Sequence, residues 1–188
     1  MAIDKIKRRI IGKGRGAVFT PADFLDLGSR ASVDQTLSRL TDQGVIRRLA
    51  RGIYDYPKTS PRLGRLSPDP DAVAAAIARK DGRVVQVSPA RAANMLGLTT
   101  QVPAKAVYLT DGPSRTKQIG AQTIIMRNAA ARNLVGAGKP TGAVFQALRY
   151  LGKDGVDASV VARLSRTIDA DTRRALVKDA LQAPGWMR

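Results

Sequence analysis

The chain has no cysteine, no histidine and, among its 15 acidic residues, no glutamate. Without cysteine there is no disulfide framework, no thiol nucleophile and no zinc–thiolate site. Without histidine the commonest general base and metal ligand is missing. Catalysis would rest on Asp, Lys, Ser, Thr or Tyr alone, which points away from an enzyme and from a bound cofactor. Aromatics are scarce as well. Three Phe, four Tyr and one Trp in 188 residues leave few platforms on which the bases of a single strand could stack. No apolar run approaches the roughly 18–20 residues of a membrane span. The basic N-terminus alternates Ile with Lys and Arg, so it lacks the apolar centre of a signal peptide. These absences favour a cytoplasmic protein with no membrane partner.

What is abundant is positive charge. Lys and Arg total 32, for a formal net charge of +17 and a pI near 11.2. A field of that sign and size favours a polyanion, nucleic acid first. Residues 1–68 hold 14 bases and 6 acids, and residues 69–188 hold 18 and 9. The charge is therefore denser in the first part.

The first part also has the clearer pattern. In "IDKIKRRIIGKGRG", Ile3, Ile6 and Ile10 recur at helical spacing, with Lys5, Arg8 and Arg9 off that stripe. Gly12, Gly14 and Gly16 then end the helix. "AVF" suits a short strand, and Thr20-Pro21 with Asp23 makes a helix start. Gly28 stops that helix and Ser29 caps the next, "RASVDQTLSRLTDQ", which keeps Val33, Leu37 and Leu40 on one face. After Gly44 the chain alternates as a β-hairpin turning near Ala50-Arg51-Gly52.

Helix, small strand, helix, tight "LGS" turn, helix and hairpin is the order of a winged helix-turn-helix. In such a fold the second helix of the pair enters the major groove with its N-terminal residues. Here those are Ser29, Arg30, Ser32 and Gln35, with Arg39 one turn on. Arg and Gln are the side chains that read guanine and adenine edges bidentately. Arg47, Arg48 and Arg51 on the hairpin, with Lys5, Arg8 and Arg9 on the first helix, complete the expected DNA-contacting set. The expected partner is double-stranded DNA.

"PKTSPRLGRLSPDP" then suggests a linker. The expected organisation is a winged helix-turn-helix over 1–57, a Pro/Gly-rich linker over 58–68 and an α/β domain over 69–188, for an α+β protein overall. The last part reads as an alanine-rich helix ("DAVAAAIARKDG"), a strand ("RVVQV") and a capped helix ("SPARAANMLGL"). Strands "AKAVYLTDG" and "QTIIMR" and a helical tail from about Thr141 to Ala183 follow. Met95, Met126 and Met187 are expected as core filler, and Trp186 as a side chain that packs the tail.

Two stretches invite an enzymatic interpretation and fail it. "GAGKPTG" lacks the first glycine of a phosphate loop, because Asn133 stands there. It also has Pro140 where that loop needs Ser or Thr. Asp111 in "YLTDG" has no second carboxylate or lysine suitably placed on the next strand, and Asp-Gly-Pro is an ordinary turn.

Two segments carry a family resemblance. "GAVFTPADFLDLGSRASVDQTLSRLTDQGVIRRLARGIYDYPK" resembles the N-terminal domain of AbiEi-type antitoxins of type IV toxin–antitoxin systems. "AANMLGLTTQVPAKAVYLTDGPSR" resembles the following domain of AbiEi-like bacterial proteins. The resemblance implies a transcriptional autorepressor that binds operator repeats ahead of its own operon. It also implies a second domain that helps to neutralise a nucleotidyltransferase-like toxin, and it brings no catalytic residues. Some relatives of this kind are solitary regulators without a toxin. The competing expectation from charge alone is a basic RNA- or ribosome-associated protein.

Overall fold

Ile6 and Ile10 lie one helical turn apart and are fully buried, and they seat α1 (Ala2–Lys13) on the N-terminal core. The computed structural model describes residues 2–187. It is a mixed α+β fold with seven α-helices and three small sheets among the described residues. After α1 come β1 (Val18–Phe19), a 3-10 turn (Pro21–Phe24), α2 (Arg30–Asp42), β2 (Arg47–Ala50) and β3 (Ile53–Asp55). The helix expected at Thr20 is that single 3-10 turn. The Thr20 backbone N–H donates to the Asp23 carboxylate at 2.7 Å, which closes it tightly. Ser29 caps α2 by accepting the Ser32 N–H at 3.3 Å, and Gly44 leaves the helix at φ +68°. Val33, Leu37 and Leu40 are buried as the spacing predicts. Each such side chain removed from water contributes about 1.5–3 kcal/mol.

The three strands form an antiparallel sheet in the order β1-β3-β2. Phe19 pairs with Tyr54 in register, their rings stack at 6.4 Å, and Phe24 meets Phe19 edge-on at 5.4 Å. Phe19 and Tyr54 face the core built from α1 and α2. Alternation sends Val18, Ile53 and Asp55 to the opposite face, and they too are buried. That face needs a second cover, and α3 (Pro70–Lys80) packs against β1. Arg79 donates to the Val18 carbonyl at 3.1 Å, and Lys80 donates to the Arg51 carbonyl at 2.7 Å.

The compact units therefore depart from the boundary drawn at residue 69. The first unit runs to Gly82 and takes in Lys117–Ile124; the second comprises Arg83–Thr116 and the chain from Ile125 onward. The proline-rich stretch 58–68 is not a bare linker. Its residues form a small hairpin, β4 (Thr59–Ser60) with β5 (Gly64–Arg65), and Arg65 donates to the Gly44 carbonyl at 3.2 Å.

Beyond Gly82 the chain forms β6 (Val85–Val87), α4 (Pro89–Met95), β7 (Ala106–Thr110), β8 (Arg115–Ile119) and β9 (Gln122–Asn128). The strands order as β6-β7-β9-β8. Three helices follow, α5 (Pro140–Leu151), α6 (Ala158–Thr167) and α7 (Ala170–Ala180). α5 packs on α4 through a contact of small residues, Ala92, Ala93 and Ala147. Met126 is buried and Met187 packs beside Val135 and Phe145, as core filler should. Met95 is not core: it is 53% exposed, because α4 buries its alanine face instead.

The helical tail is held by three carboxylates. Asp157 and Asp169 cap α6 and α7, accepting the N–H groups of Val160 at 2.9 Å and Thr172 at 2.6 Å. Asp179 accepts the Thr141 hydroxyl at 2.7 Å and the Lys139 ammonium at 3.2 Å. Each carboxyl is held below the usual carboxylate range. The largest causes are the hydroxyl of Ser159 for Asp157, the backbone N–H of Thr172 for Asp169, and the hydroxyl of Thr141 for Asp179. A depressed folded pKa gives stability that is present above the unfolded value, about 4, and lost as pH falls through the folded one. The tail should loosen below about pH 4 in an acid titration followed by helical circular dichroism. Asp157→Ser with Asp169→Ser keeps capping oxygens that need no ionisation, so most of that acid transition should disappear. An unchanged acid midpoint in the double variant would contradict the assignment.

Candidate nucleic-acid interface

The exposed side of α2 follows from its buried one. With Val33, Thr36, Leu37 and Leu40 inside, a step of 100° per residue puts Ala31, Gln35, Ser38 and Asp42 at the centre of the opposite face, flanked by Asp34 and Arg39, with Arg30 nearer the buried side. Ala31, Gln35, Ser38 and Arg39 are exposed, and Arg39 engages no carboxylate. The other expected readers are partly occupied. Ser29 is exposed, but its hydroxyl oxygen is the cap of the helix. Ser32 is half-buried beside the apolar stripe. The Arg30 Nε lies 2.8 Å from the Asp34 carboxylate in an exposed i,i+4 pair, an interaction worth only a few tenths of a kcal/mol.

The hairpin arginines separate into two kinds. Arg48 and Arg51 are exposed and engage no carboxylate, and Arg51 stands at a turn that Gly52 permits by adopting φ +70°. β2 is an edge strand, so Arg48 has open solvent beside it. Arg47 departs from the expectation for it. It grips Asp55 across the hairpin through two bonds, 3.1 and 2.7 Å, and donates to the Leu66 carbonyl at 2.9 Å. Asp55 is 1% exposed, so a buried carboxylate determines where that guanidinium points. The same bond raises the Arg47 pKa above its ordinary value. Arg47 builds the hairpin and is not a free contact.

The first helix separates in the same way. Lys5 and Arg8 are exposed and unpaired. Arg9 is engaged bidentately by Asp26 at 2.6 and 2.7 Å and also donates to the Asp23 carbonyl. That hydrogen bond from Arg9 holds the Asp26 carboxyl below its usual range. Of the expected contacts, Lys5, Arg8, Gln35, Arg39, Arg48 and Arg51 keep free, exposed side chains. In the second unit, the lysine and threonine of "GAGKPTG" are committed to Asp179 and tie α7 to the start of α5. Among the described residues no three metal-ligating side chains come together, and no helix is long and apolar enough to cross a membrane.

A family model described as a family of unknown function, DUF6088, matches residues 5–176. The chain belongs to DUF6088. No protein of curated function matches it. The DUF6088 match spans most of both compact units, from Lys5 to Leu176 within α7. Two exposed positions of this DUF6088 chain escaped the sequence analysis. Ser38 sits one turn beyond Gln35, and Lys7 lies between Lys5 and Arg8 on the solvent side of α1. Both carry the signal that found their neighbours, a polar side chain off the apolar stripe.

Proposed function

We propose that the chain is a double-stranded DNA-binding transcriptional regulator whose first unit acts as a winged helix-turn-helix. The observation that carries this is the distribution of unpaired charge. α2 presents an open polar face with Gln35 and Arg39, and the following hairpin presents Arg48 and Arg51 with no acidic partner. In this reading α2 enters the major groove and the hairpin arginines meet phosphates. The resemblance of residues 92–115 to the second domain of AbiEi-like proteins extends the proposal. The chain would repress its own operon, and its second unit would act as antitoxin to a nucleotidyltransferase-like toxin.

A gel-shift of the full chain with its own upstream region tests the first part. The duplex should bind at lower protein concentration than random duplex or the same sequence as single-stranded RNA. Tighter binding to the RNA would favour a ribosome- or RNA-associated protein instead. Asp34→Asn offers a gain-of-function check. It releases Arg30 and removes a negative charge from the proposed groove-facing side, so affinity for any duplex should rise by about three- to tenfold at low salt. If affinity stays the same, the first turn of α2 is not at the interface. Co-expression with the product of the neighbouring gene, scored by growth, tests the antitoxin part.

A further inference from the structure

The second unit carries an apolar feature that the DNA-binding proposal does not use. α5, α6, α7 and the 3-10 turn Gly185–Met187 enclose an open groove of about 620 Å³. Apart from Ser165 and Arg173 every residue lining it is apolar. Val177 and Leu181 on its wall are each 74% exposed, Val161 is 53% exposed and Trp186 39%. Monomeric surfaces seldom leave apolar side chains of this size clustered around a concavity without a partner.

The charges around the groove indicate what fits. Arg173 and Val177 stand at i and i+4 on α7 with Leu181 at i+8 capping its end, and Arg174 and Lys178 lie along the adjoining face. The exposed apolar pair is therefore bordered by Arg174 and Lys178 along one side and by Arg173 at its N-terminal end. The acids offset them only in part: Asp169, the cap of α7, acts on Arg173 through its charge, while Asp179 is bound by Thr141 and Lys139. Asp171 pairs with Arg174, so among the described residues Lys178 is the border cation left without an acid. A second copy of this chain would bring the same cationic border and a net charge of +17 against it. A small apolar ligand would leave Val177 and Leu181 in water.

We propose that this groove docks an amphipathic helix of another protein, with an apolar stripe flanked by Asp and Glu. Helix-in-groove recognition needs apolar anchors at i, i+3, i+4 and i+7. The arginines and the lysine at the border set its sign preference through complementary charge. The proposal rests on the groove alone and stands or falls separately from DNA binding.

Trp186 supplies the readout, because it lines the groove and is the only tryptophan in the chain. Three synthetic helical peptides serve as probes: a leucine stripe flanked by Glu, the same stripe flanked by Lys, and the Glu peptide with Ala for Leu. The Leu/Glu peptide should shift Trp186 emission to the blue with saturation, and bind about tenfold or more tighter than either control. Val177→Gln with Leu181→Gln alters exposed positions that the fold does not bury. That variant should keep its thermal midpoint and its DNA gel-shift, yet lose about tenfold or more in peptide affinity. Arg173→Gln with Lys178→Gln should narrow the gap between the Glu and Lys peptides. Equal binding of those two peptides, or no saturable shift with Leu/Glu, would overturn the proposal. So would a concentration-dependent blue shift without peptide, which would assign the groove to self-association.

Discussion

Replacing Arg47 with alanine should destabilise the first unit by about 3–5 kcal/mol, a large part of the 5–15 kcal/mol that a domain commonly has. The reason is the partner it abandons. Asp55 is 1% exposed on the second face of the sheet, and Arg47 gives it both of the arginine bonds described above. Without the guanidinium that carboxylate is left charged and uncompensated in a site closed to water. The bond to the Leu66 carbonyl is lost as well, and with it a tie between the hairpin and the segment leading into α3. The exposed pairs Arg9–Asp26 and Arg30–Asp34 invite no such expectation, since pairs of that kind are worth about 0–1 kcal/mol.

A second variant keeps the argument falsifiable. Arg47→Met together with Asp55→Leu removes both charges and fills the space with apolar atoms, so it should lie much closer to the parent in urea unfolding than Arg47→Ala does. Near-ultraviolet circular dichroism reports on both units, since Tyr54 and Tyr56 lie in the first and Tyr108, Tyr150 and Trp186 in the second, and Trp186 emission, which follows the second unit alone, separates the two. If Arg47→Ala costs no more than about 1 kcal/mol, the range of exposed pairs, Arg47 returns to the set of candidate DNA contacts.

Arg47 also marks how far the sequence could be followed. The start of α2 was legible because a cap is local chemistry: the Ser29 hydroxyl lies where it meets the first free N–H groups, whereas the expected cap at Ser88 makes no such bond. The α2 stripe and the Gly52 turn were legible for the same reason, since period and positive φ are written in neighbouring residues. The Arg47–Asp55 pair depends on hairpin register, with partners eight residues apart, and alternation alone does not say that the face carrying Asp55 is covered. That cover is α3, whose alanine-rich sequence assigned it equally well to either unit. β8 escaped because "RTKQI" lies on a sheet edge, where polar side chains are tolerated and period-two alternation is weak. Of the candidate site, the polar face of α2 was readable from its spacing. Whether each arginine was free or paired was not, because pairing is decided by tertiary neighbours.

The remaining prediction divides the proposed interface into readers and positioners. Replacing Gln35 or Arg39 with alanine should weaken binding to the preferred duplex by about 1–3 kcal/mol and relax selectivity at one base position, because a bidentate contact to a base edge is lost. Binding to random duplex should change far less. Replacing Arg48 and Arg51 with alanine should weaken binding to preferred and random duplex alike. The dependence of log K on log salt should become shallower by roughly one unit per lost phosphate contact. All four side chains are exposed and unpaired, so none of these variants should lower the thermal midpoint, which separates them from Arg47. The informative measurement is the ratio of preferred to random affinity across a salt series. A fall in that ratio for Gln35 or Arg39 with an unchanged slope places α2 against the bases, while a flatter slope at constant ratio places the hairpin against the backbone. If Gln35→Ala and Arg39→Ala leave the ratio untouched and Arg48→Ala with Arg51→Ala leaves the slope untouched, the first unit does not read DNA in the proposed orientation.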